Sequence, residues 1–166
     1  MSEPATDLHP RRVATYLNDH LAAVTAGVEV ARRTVSSNAG TPYEDTLRRV
    51  CEHVEADKRL LREVMRVLEV DEDRLKRGVA WLGEKVGRLK PNDALTSYSP
   101  LSRMLELEAL MLVRTVLRAT WATLDELLGD DTRVPDVTAA RDRAQEDLEA
   151  LEVLRPAAAR EALTGP

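Results

Sequence analysis

Apolar residues recur at intervals of three and four along four long stretches of the chain, the period of a helix that buries one face. The first stretch carries Val13, Tyr16, Leu17, Leu21, Val24, Val28, Ala31 and Val35 and predicts a helix over about 10–37. Pro10 suits its first position, where the missing N–H would have no partner in any case. Asn38-Ala39-Gly40 ends it, and Thr41-Pro42-Tyr43-Glu44 reads as a capping box opening a second helix over about 42–68. That helix has Leu47, Val50, Cys51, Val54, Leu61, Met65 and Leu68 on one face. Glu44/Arg48, Asp45/Arg49 and Glu55/Arg59, each four apart, line the solvent face as stabilising pairs.

Asp71 then reads as the cap of a connecting helix over about 71–90, with Leu75, Val79, Leu82, Val86 and Leu89 in register and three interior glycines weakening it. Ser99 and Pro100 open a third long helix, 100–128, that is apolar around most of its circumference. A helix of that kind has to be covered on several sides, by its own bundle or by a second copy. Gly129 stops it. A fourth helix over about 136–155 carries Val137, Ala140, Ala144, Leu148 and Leu151 and is expected to end before Pro156, with one further short turn in the Ala-rich tail. No segment alternates with the period of a strand. The expectation is an all-α four-helix bundle forming a single domain over 1–166.

Composition narrows the chemistry. Phe is absent, so Leu, Val, Ala and Met have to build the core. The net charge of −5 supplies no positive field for a phosphate backbone, which argues against nucleic acid. No apolar run approaches the roughly 18 residues of a membrane span. The N-terminal Met-Ser-Glu-Pro-Ala-Thr-Asp has no basic run leading into an apolar one, and a lone cysteine cannot form an internal disulfide, so a cytoplasmic protein is expected. Arg far outnumbers Lys beside abundant Ala and Val, in keeping with a bacterial, GC-rich source.

Two hairpins of helices joined by a long connection that carries its own helix resemble the ferritin-like four-helix bundle, with a helical crossover between helix 2 and helix 3. Tyr16-Leu-Asn-Asp-His20 and Tyr98-Ser-Pro-Leu-Ser-Arg103 resemble stretches of an uncharacterised actinobacterial ferritin-like family, a likeness that implies the fold and no activity. The di-iron motif of ferritin-like proteins, Glu-x-x-His on two helices and Glu on the other two, is missing: residues three before His9, His20 and His53 are Thr6, Leu17 and Val50. Phosphate loops, Cys-x-x-Cys pairs and serine elbows are missing as well.

Four polar residues interrupt or border the inward stripes: His20 on the first helix, Asp57 and His53 on the second, Glu106 on the third. A tight turn near residue 40 sets His20 level with residues 57 to 61, where it could meet Asp57. These four are the candidate ligands of a single Fe, Mn or Zn ion. The plainer reading gives His20 a carboxylate partner and Glu106 a salt bridge to Arg155 or Arg160, since buried polar groups demand partners. Cys51, on an apolar face, is read as packing. The expected function is that of a non-catalytic bundle with no cofactor that acts as a homodimer or through a protein partner on the third helix; the alternatives are a single-metal protein tied to oxidative stress and, after it, a carrier of an apolar ligand.

Overall fold

A computed structural model describes residues 8–73, 98–129 and 131–164, and among them the chain forms four helices and no strand. They are α1 (Pro10–Ser37), α2 (Glu44–Val67), α3 (Pro100–Leu128) and α4 (Thr138–Leu163). None is long and apolar enough to cross a membrane.

α1 packs on α2 and α3, and α4 packs on the same two helices, which leaves α2 and α3 on one diagonal of the bundle. Every neighbouring pair runs antiparallel, as the cross-links show: Arg32 to Glu55 between α1 and α2, Arg33 to Glu106 between α1 and α3, His53 to Asp147 between α2 and α4, and Arg141 to Asp125 between α3 and α4. α2 and α3 are therefore parallel. The end of α2 and the start of α3 lie at opposite ends of the bundle, because Arg103 of α3 meets Asn38 beside the start of α2.

Leu17, Val24, Leu47, Val50, Val54, Leu61, Leu107, Leu110, Trp121 and Leu151 are fully buried and build the centre. α1 and α3 approach closely at Gly27, where a Cβ would stand 2.7 Å from Val113 Cγ1. The turn between α1 and α2 depends on Gly40 at φ 75°, a left-handed conformation that glycine adopts without a Cβ clash.

Ser99 caps α3 as expected, accepting a hydrogen bond of 3.1 Å from the Ser102 N–H. Three local expectations need correction. The capping box does not close on Thr41: Tyr43 is the N-cap residue, α2 begins at Glu44, and the Glu44 carboxylate accepts from the Gly40 N–H at 2.6 Å. Glu44 does pair with Arg48, whereas Glu55 is taken by Arg32 across the helix seam and not by Arg59. α4 runs through Pro156 to Leu163. Pro156 is exposed, so the carbonyl it deprives of a donor faces water, while the alanines after it favour helix and Ala158 is buried.

The connecting helix expected over 71–90 falls mostly outside the described residues. Asp71 to Asp73 are not helical. Asn18 of α1 holds them, donating to the Asp71 carbonyl at 3.1 Å and accepting from the Asp73 N–H at 2.7 Å.

Candidate functional site

Five ionisable groups from three helices meet in the middle of the bundle. Asp57 of α2 lies three residues after Val54 and four before Leu61, on the same inward stripe, and is fully buried. Arg114 of α3 lies four residues after Leu110, three before Leu117 and seven before Trp121, and Asp147 of α4 lies three after Ala144 and four before Leu151; both are also fully buried. The Arg114 guanidinium bonds Asp57 Oδ2 through Nη1 and sets Nε 3.0 Å from Asp147 Oδ2. One cation is thus clamped between two carboxylates from opposite hairpins.

Two more groups complete the cluster. Arg143 of α4, a third exposed, reaches Asp57 Oδ1 at 3.5 Å. His53 of α2 places Nδ1 3.0 and 3.1 Å from the two Asp147 oxygens. A carboxylate only accepts, so Nδ1 carries the hydrogen and donates it. Two carboxylates thus face two guanidiniums.

Bringing these charges out of water is costly, and the cost is not fully repaid by hydrogen bonds. Arg114 Nη2 and the Trp121 indole N–H have no hydrogen-bond acceptor, and Arg114 Nε is close to Asp147 without bonding geometry. Burial is strong enough to push the Asp57 carboxyl above its ordinary range, against the pull of Arg114, Arg143 and the nearby Trp121 N–H. The cluster is a neutralised set of buried charges, held because each partner would be worse off alone.

A second polar cluster closes the end of the bundle at the α1–α2 turn. The Asn38 side chain, fully buried, donates to the Thr34 carbonyl and the Tyr98 phenol oxygen, both at 2.8 Å, and accepts from Arg103 Nε at 2.7 Å. Tyr98 donates to Glu106 Oε2 at 2.9 Å, and Arg33 Nε donates to Glu106 Oε1 at 2.8 Å. Arg103 continues to Glu161 and lies over the Tyr43 ring, whose hydroxyl also donates to Glu161. Burial above all raises the Tyr98 phenol far over its usual range, so it stays a donor at any ordinary pH.

The four candidate ligands fall in different places. Asp57 and His53 belong to the central cluster, joined through Arg114 and Asp147. Glu106 lies in the end cluster, and its partners are Arg33 and Tyr98, correcting the expected Arg155 or Arg160; Arg155 instead pairs with Glu152. His20 turns onto its own helix, donating from Nδ1 to the Tyr16 carbonyl at 2.7 Å with the two rings 4.1 Å apart. The expected meeting of His20 with Asp57 gives way to the arginines, which occupy that carboxylate. Among the described residues no three His, Cys, Asp or Glu side chains are grouped to hold a metal ion. Cys51 is half-buried with its thiol pushed up by burial, as befits a packing residue.

Arg114 and Asp147 escaped the sequence reading, although a signal was present. Each sits at core spacing within its helix, and charge alone argued against an inward place. No protein family model, no curated protein and no solved structure matches the chain.

Proposed function

We propose that the chain is a non-catalytic, ferritin-like bundle of the bacterial cytoplasm that acts through contact with another protein surface, a homodimer or a partner, on α3. The observation that carries this reading is the buried Arg114 between Asp57 and Asp147. In a metalloprotein of such an architecture, inward carboxylates from facing helices would draw a divalent cation. Here a guanidinium of the chain's own supplies the positive charge, and its bulk fills the space between the carboxylates. The residues present therefore do not fit a carboxylate-bridged metal pair.

The reading also draws on the surface of α3. Leu101, Leu112, Val116 and Leu127 are exposed there, Leu112 by 65%. Large apolar side chains aligned on one helix face mark contact surfaces more than scattered ones do.

The test is metal uptake by untagged protein. Elemental analysis after incubation with Fe(II), Mn(II) or Zn(II) and desalting is expected to give far less than one ion per chain. A stoichiometric ion, lost on substituting Asp57 or His53, would overturn the reading.

A further inference from the structure

We infer that Asp57, Arg114 and Asp147 act as a key that fixes the one arrangement in which the α1–α2 hairpin seats on the α3–α4 hairpin. The inference concerns how the chain chooses its own fold and stands apart from the reading of α3 as a contact surface.

The inward rows of three helices share one spacing. On α2, Val50, Val54, Asp57, Leu61 and Val64 follow at intervals of four, three, four and three. Leu110, Arg114, Leu117, Trp121 and Leu124 do the same on α3, and Ala140, Ala144, Asp147, Leu151 and Leu154 on α4. Each row is a seven-residue repeat, the pattern by which helices pack knobs into holes.

Repeats of this kind hold helices together without saying how they seat. Apolar side chains of about the right size bring a bundle together, and uniform rows leave it free to choose among several packings. Here the apolar members of the rows are Leu, Val and Ala with Trp121 as their one aromatic residue, and the chain has no Phe. Shape alone therefore separates one seating from another only weakly.

Charge separates them sharply. Each of the three rows carries a single ionisable residue, and the three lie in one layer, with Arg114 bonded to Asp57 and its Nε 3.0 Å from Asp147 Oδ2. Asp57 belongs to the first hairpin, Arg114 and Asp147 to the second, so the layer joins the two. A different seating carries Asp57 away from Arg114 and into an apolar stretch, where a lone carboxylate is strongly disfavoured. A single buried Asn sets the register of a coiled coil in the same way, at a cost in stability. The layer is suited to that task because its gain is specificity: well-packed apolar residues of similar volume hold helices at least as firmly as buried ion clusters do.

Other contacts between the hairpins discriminate less. The end cluster pairs Arg33 with Glu106 and Tyr43 with Glu161, but Arg33 and Glu161 are about half exposed and can exchange a partner for water. Gly27 admits Val113 closely, and a small increase in the distance between the helices relieves any larger residue brought to that place. A stranded buried charge has no such relief.

Spin labels on Arg59→Cys of α2 and Val153→Cys of α4, both exposed positions, in a Cys51→Ser background, read the seating as a distance by double electron–electron resonance. With the native layer a single narrow distance is expected. Asp57→Leu, Arg114→Met and Asp147→Leu together should keep the helical circular dichroism and give two or more distances, or a distribution at least twice as broad. Asn38→Ala, which cuts the end cluster and leaves the layer in place, should keep the single distance. A triple variant that retains the one narrow distance overturns the inference, and so does one that loses its helices, since a key is needed for choice and not for folding. A distance that broadens in Asn38→Ala overturns it too, by assigning the seating to the end cluster. All of these results leave the metal-uptake test of the functional reading untouched, so the two can fail separately.

Discussion

Replacing Arg114 by methionine removes a buried cation and strands two buried carboxylates, and the loss follows from the geometry. Asp57 and Asp147 are fully buried, and among the described residues the charged or ionisable partners that remain beside them are Arg143 and His53, both partly exposed. Breaking one side of a buried ion pair costs about 3–5 kcal/mol, a large part of the roughly 5–15 kcal/mol that holds a domain folded. At about 2–4 °C per kcal/mol for a chain of this size, the melting temperature should fall by roughly 6–20 °C. The deficit should also depend on pH with a defined sign. Burial already raises Asp57 above its ordinary value in the folded protein, and Arg114 is the strongest of the influences that lower it. Without Arg114 the folded pKa rises further, so the folded state binds more protons than the unfolded state between the ordinary carboxylate value and the new one. Stability of the variant relative to wild type should therefore improve as pH falls from 7 to 5, by up to about 1.4 kcal/mol per pH unit for each proton taken up. Urea unfolding of both proteins across that range measures it. A loss below about 1 kcal/mol, or a deficit that stays constant or grows toward pH 5, would refute the reasoning.

Four further outcomes follow from particular contacts. Changing Arg114→Met together with Asp57→Leu and Asp147→Leu should recover most of the lost stability or exceed wild type, because buried ion clusters are often no better than well-packed apolar residues; calorimetry decides. Gly27→Ala should lose roughly 1 kcal/mol net in urea, since the Cβ meeting Val113 at 2.7 Å outweighs the gain in helix propensity, and Val113→Ala should restore it. Glu69 ends α2 with φ 55°, and Glu69→Gly should raise the urea midpoint by an equivalent of about 0.5–1 kcal/mol by relieving that conformation. Asn38→Ala should cost about 2 kcal/mol in thermal unfolding, since it leaves buried or half-buried partners on Thr34, Tyr98 and Arg103 without their bonds.

The helices were legible because long apolar stripes with distinct stops leave little choice, and the bounds of α1 and α3 are those the pattern predicts. The extension of α4 was not, because proline is a strong local signal against helix and only tertiary burial of Ala158 and exposure of Pro156 overrule it. In the candidate site, Asp57 and His53 were readable as polar residues at an inner edge, and so was Glu106. What joined them was not. Arg114 and Asp147 carry the core period, yet the expectation that charge stays outside hid a pair whose charges bury one another. His20 shows the converse: its helix face pointed inward, but a local bond to the Tyr16 carbonyl satisfies the ring before any distant carboxylate can.

Native mass spectrometry of untagged protein, sprayed from a concentrated solution after exposure to Fe(II), Mn(II) and Zn(II), tests the central claim most directly, since it weighs the chain, its copies and anything it retains in one spectrum. The account calls for the bare mass of the 166-residue chain or of its dimer, with no metal ion retained. A monomer carrying one metal ion or a retained small molecule would contradict it.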